Sequence, residues 1–128
     1  MSDVLQVETS RIEPDITVVS FAGKIVMGPD SLNVENMVVD LLAKNQKKII
    51  FDLSRVFFLD STGMGVIASC YSKARRADGA LRVAGVANRV RDLFRITRLD
   101  NVMTFYPSVA DASKGFETQK PAGEQNVW

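Results

Sequence analysis

The residues best able to do chemistry in this chain stand together in one short stretch, Val56-Phe57-Phe58-Leu59-Asp60-Ser61-Thr62-Gly63-Met64-Gly65-Val66-Ile67-Ala68. An apolar run stops at an acid and two hydroxyls, passes two glycines, and turns apolar again. Residues of these types at this spacing suit a nucleophile, a phosphate cradle, a site that is itself modified, or a helix N-cap. The nucleophile is the poorest fit. With no histidine and a lone cysteine, Cys70, the chain has no Ser-His-Asp triad, no Cys-His pair, and no histidine- or thiolate-based metal site. Asp52 and Asp60 are candidate paired carboxylates, but nothing in the sequence sets their separation. An acid at a strand end is more often a turn or cap residue. No metal and no catalytic residue is expected, and the chain reads as a binding protein rather than an enzyme.

Gly63-Met64-Gly65-Val66-Ile67-Ala68 fits the G-x-G-x-x-A pattern of a dinucleotide loop, following a strand and opening a helix. The next strand ends in Val83-Ala84-Gly85, with no acid to hold a ribose hydroxyl, and Gly23-Lys24 continues with Ile25 rather than a phosphate-loop hydroxyl. No cofactor is expected. Asp60, Ser61 and Thr62 are all good N-cap residues, whose oxygens accept the unpaired amides of a first helical turn. A cap needs one of them. Three in a row, followed by glycines that strip side-chain cover, suggest a surface read by another protein. Met64 lies off the apolar stripe of the following helix and is expected to be exposed. The expected partner-binding residues are therefore Asp60, Ser61, Thr62, Gly63 and Met64.

The elements that must position this stretch are legible on both sides of it. At 128 residues, 46% hydrophobic and 24% charged, the chain suits one soluble domain with a real core. Residues 5–10 and 16–22 are rich in β-branched residues and flank Glu13-Pro14-Asp15, which predicts an antiparallel hairpin. Gly28-Pro29-Asp30 starts a helix with the stripe Val34, Met37, Val38, Leu41 and Leu42. Residues 48–53 form a nearly continuous apolar run, as a buried parallel strand does. A helix over 62–77 follows, then a strand at 80–84 and a helix over 87–98 with Val90, Leu93, Phe94 and Thr97 inward. A strand at 102–106 and a helix starting near Pro107-Ser108 complete the pattern. The order β-β-α-β-α-β-α-β-α predicts a single α/β domain over 1–116, with a mixed four- to five-stranded sheet and about four helices. Residues 117–128, which end in Trp128, have no periodicity and read as a C-terminal tail.

Charge is uneven: net −3 over residues 1–60 and +5 over residues 61–116, where Arg82, Arg89, Arg91, Arg95 and Arg98 concentrate. There is no aromatic interleaving or base-reading motif beside these arginines, so a solvated helix face is expected rather than nucleic-acid binding. No apolar run approaches the ~18 residues of a membrane span. The polar start and single cysteine fit a cytoplasmic protein.

The stretch IIFDLSRVFFLDSTGMGVI resembles the signature region of the STAS domain family, the anti-sigma factor antagonists. In that family a strand ending D-x-S is followed by an apolar stretch and by D-S-[ST]-G-[LM]-G opening a helix. The resemblance runs over residues 4–116 and includes the F-x-G-x-I step at Phe21 to Ile25, the late DGALRVAG segment and the LFRITRLDNV run. It implies a protein that binds an anti-sigma factor, itself a serine kinase, and so releases a sigma factor. By position Ser61 matches the serine that the kinase phosphorylates to switch the antagonist off. Asp60 matches the preceding acid and Thr62 the second hydroxyl. Many family members carry an acid soon after the F-x-G-x-[LI] step, at the partner-facing end, where this chain has Val26-Met27-Gly28. The family also includes scaffolds of sensory or lipid-transport assemblies, which is the alternative expectation.

Overall fold

The computed structural model describes residues 5–118. Among them run β1 (Gln6–Ile12), β2 (Ile16–Ile25), α1 (Pro29–Ala43), β3 (Lys48–Leu59), α2 (Ser61–Arg76), β4 (Ala80–Ala84), α3 (Asn88–Ile96), β5 (Phe105–Tyr106) and α4 (Val109–Thr118). One sheet holds the strands in sequence order, with β1 antiparallel to β2 and every later pair parallel. The expected mixed sheet with an opening hairpin is present, and each parallel step is crossed by a helix.

Alternation along the strands sends side chains to two unequal cores. Val19, Phe21, Ile49, Phe51, Leu53 and Val83 join residues of α1, α2 and α3 in the larger one, where the Phe21 and Phe51 rings meet edge-on at 4.9 Å. Ile16, Val18, Ile50, Ala84 and Tyr106 form the smaller one, closed by Ala112 and Phe116 of α4. Helices thus cover both faces, as a largely parallel sheet requires.

Three expectations are corrected. β3 does not stop at Leu53 but continues to Leu59. Its pairing to β2 slips twice: Ser20 and Ala22 face Asp52 and Arg55, and Gly23 and Lys24 face Val56 and Phe58. Each slip adds one residue to β3, so its buried positions fall at Leu53, Val56 and Leu59 instead of alternating. The strand expected at 102–106 is reduced to Phe105–Tyr106. Thr97 lies outside and past the end of α3, its hydroxyl donating to the Leu93 carbonyl at 2.9 Å. The backbone of α4 continues to Thr118, and the rest of the expected tail, including Trp128, lies outside the described residues. Among the described residues, no helix is long and apolar enough to cross a membrane.

Candidate functional site

Parallel pairing sets Ile25, the end of β2, beside Leu59, the end of β3. The two chains therefore leave the sheet side by side, one as Val26-Met27-Gly28 and the other as Asp60 opening α2. Asp60 joins them. Its backbone is extended, with φ −94° and ψ −175°, as an N-cap requires, and its carbonyl accepts from the Met64 amide at 3.0 Å. Its Oδ1 accepts from the Gly63 amide at 2.8 Å, and its Oδ2 accepts from the Met27 amide at 2.9 Å. One carboxylate thus caps α2 and ties down the neighbouring loop. Those bonds, the Met27 amide first and the Gly63 amide second, hold its pKa below the usual aspartate value against a smaller opposing effect of burial.

The structure decides among the three cap candidates that the sequence offered. Asp60 is the cap, and Ser61 is the first helical residue, with an exposed side chain outside the cap bond. Thr62, next along, is half-buried. Of the two motif hydroxyls, only Ser61 lies on an exposed residue.

The two glycines also differ. Gly63 is buried against β2, where a Cβ would overlap the Ile25 carbonyl oxygen. Gly65 is exposed, and a Cβ there would meet nothing within 4 Å. Gly63 is thus the residue that lets α2 start in contact with the sheet, and Gly65 leaves its outer surface low. Because Ile25 fills the space in front of Gly63, the G-x-G-x-x-A pattern here serves helix-to-strand packing rather than an open phosphate cradle.

Met64 contradicts its expected exposure: it is only 7% accessible and belongs to the larger core. The buried arc of α2 comprises Gly63, Met64, Val66, Ile67, Cys70, Tyr71 and Ala74, wider than the stripe read from the sequence. The reason is that α2 packs on α1 as well as on the sheet. Lys73 of α2 reaches Glu35 of α1 at 4.0 Å across that contact. Met64 and Tyr71 extend the buried arc beyond the stripe of Gly63, Val66, Ile67, Cys70 and Ala74.

Other sequence candidates are placed elsewhere. Asp52 lies level with Ala84 in mid-sheet, and its Oδ1 accepts from the Ser54 amide at 3.0 Å, a local contact within β3. Cys70 is buried, and burial pushes its thiol up to about 12, which removes it as a thiolate nucleophile. Sequence reasoning named Met27 only within the Val26-Met27-Gly28 run and missed that it stands 74% exposed beside Asp60; it also missed the outward Phe57 and Phe58. The signal available for Met27 was an uncharged run from Ile25 to Pro29 placed between a strand and a helix. For the two phenylalanines there was no such signal, because the strand was expected to end at Leu53 and the bulges beyond it set which residues face outward.

Comparison with known proteins agrees with this architecture. A family model for the STAS domain matches residues 9–112, and the chain belongs to the STAS domain family. A candidate anti-sigma factor antagonist of Bordetella bronchiseptica is 25% identical over 95 residues, covering 72% of this chain and 82% of its own. An anti-sigma factor antagonist from Mycobacterium paratuberculosis superposes with a TM-score of 0.78 at 23% identity, covering 91% of this chain and 97% of its own. The phosphorylated form of the Bacillus cell fate determinant SpoIIAA gives a TM-score of 0.69 at 14% identity, over 87% of this chain and 99% of its own. At these identities the two solved structures establish a shared fold.

Proposed function

We propose that this protein is an anti-sigma factor antagonist: it binds an anti-sigma factor with serine kinase activity, frees the sigma factor, and is switched off by phosphorylation of Ser61. The observation that carries this reading is the exposed Ser61 side chain at the first position of a helix whose cap is supplied by Asp60. A hydroxyl with no part in the cap bond can be modified without unmaking the helix start. A phosphate there adds about −1.5 to −2 charges. The positive end of the α2 dipole favours such an anion, while the Asp60 carboxylate, which already takes the Gly63 amide, opposes it. The fold survives, and the added charge acts on the partner, by repulsion and by desolvation that the interface does not compensate. Asp60, Ser61, Thr62 and the low surface at Gly65 form the docking face; Gly63 shapes it from beneath. Relatives named as anti-sigma factor antagonists, and one fold neighbour captured in a phosphorylated form, support the same reading.

The test is incubation with the cognate anti-sigma kinase and ATP, followed by site-resolved mass spectrometry. A single phosphate on Ser61 is expected. Phosphate on Thr62 or Ser54 instead, or none, contradicts the reading, and its absence leaves an unphosphorylated STAS scaffold as the better description.

A further inference from the structure

We propose that the loop between β2 and α1, with Met27 at its tip, is a specificity-determining contact beside Ser61, and that the partner surface it meets is apolar. The inference rests on the function proposed above.

A solitary exposed apolar side chain is ordinary on a protein surface. Met27 is set apart by how its backbone is held. Its amide donates to Asp60 Oδ2 at 2.9 Å, while the same carboxylate caps the helix that carries Ser61. Gly28 has φ 149°, a region that other residues seldom enter, and its carbonyl accepts from Ser31 Oγ at 2.9 Å. Pro29 then fixes the first position of α1. The loop is pinned at each step, yet the side chain it presents is 74% exposed. A contact residue held in place before binding loses little freedom when a partner arrives.

The chemistry of the contact follows from what surrounds it. Between Lys24 and Asp30 the chain carries no charge, and Leu32, in the first turn of α1, is 60% exposed. The carboxylates beside the loop, Asp60 bonded to the Met27 amide and Asp30 in the first turn of α1, disfavour an anionic partner group there, while the exposed Met27 and Leu32 side chains offer apolar surface. An apolar partner surface matches it. Because Asp60 bonds both the loop and the Ser61 helix, a protein that covers Ser61 closely also covers Met27. The partner that phosphorylates this chain is thereby selected by apolar fit at Met27 in addition to recognition of the serine.

The experiment titrates the purified anti-sigma kinase with wild type, Met27→Ala, Met27→Leu, Met27→Asp and Ser61→Asp, with melts of each variant. Met27→Ala is expected to weaken binding about tenfold, the scale of losing a buried methionine contact. It should raise the KM for Ser61 phosphorylation with kcat retained and leave the melt unchanged. Met27→Leu should restore most of the affinity, and Met27→Asp should bind more weakly than Met27→Ala. Equal affinity for wild type and Met27→Ala, or tighter binding by Met27→Asp, overturns the inference. If Ser61→Asp still loses binding in that case, the proposed function stands without it. Equal affinity for wild type and Ser61→Asp, or no binding by wild type, overturns both.

Discussion

At the start of α2 an aspartate and a serine divide two duties, one holding the helix end and the other left outside the cap bond, and substitutions separate them. Asp60→Ala removes the cap and is expected to cost ~1 kcal/mol, within the usual range for caps. Ser61→Ala removes an exposed hydroxyl outside the cap bond and should stay within about 0.5 kcal/mol of wild type. Denaturant midpoints of the two variants check this, and equal losses would make Ser61 a cap after all. Asp60 also links stability to pH. Its pKa is lowered in the folded state by the Met27 and Gly63 amides. Its contribution is therefore present above the ordinary aspartate pKa and is lost as pH falls through the lowered value. Asp60→Asn should flatten that part of the acid limb, and an unchanged limb would mean that other carboxylates govern it. Met64→Ala, at a position only 7% exposed, should cost ~2–5 kcal/mol as a core truncation does. A silent melt would return Met64 to the surface.

Among the elements, α1, α2 and β4 were legible in the sequence because their apolar residues keep one period and their ends carry glycine, proline or acid signals. β3 was legible only as far as Leu53. Its two bulges shift the burial period from two to three, so Ser54 and Arg55 look like a loop although they continue the strand. The width of the apolar arc on α2 was not legible either, since no pattern within one helix says that a second helix packs on its flank. For the site, the sequence located the motif but left the cap open among Asp60, Ser61 and Thr62, and it assigned Met64 to the surface. The tie from Asp60 to Met27 spans 33 positions and depends on strand register, so local reasoning had no access to it. The two motif glycines supply the test at this scale. Alanine is favoured over glycine inside a helix by about 1 kcal/mol. Gly65→Ala, facing open space, should gain up to that amount. Gly63→Ala should lose stability instead, because its Cβ meets the Ile25 backbone carbonyl, which has little room to yield. Thermal melts of the pair check the opposite signs, and two gains would show that α2 is not seated tightly on β2.

Across the whole molecule, the sheet with helices on both faces fixes where the proposed switch would act. The Asp60–Ser61 turn stands at the ends of the parallel strands β2 and β3, with the larger core beneath it. A charge added at Ser61 lies at the rim of that core, so its effect is expected in the partner complex rather than in the fold. The most direct measurement is a titration of the anti-sigma kinase with wild type and Ser61→Asp, beside thermal melts of both. Coincident melts are expected, because an acid in the first turn suits the helix dipole. Affinity lower by tenfold or more is expected for Ser61→Asp, a difference of about 1.4 kcal/mol. Equal affinities with coincident melts would contradict the switch at Ser61.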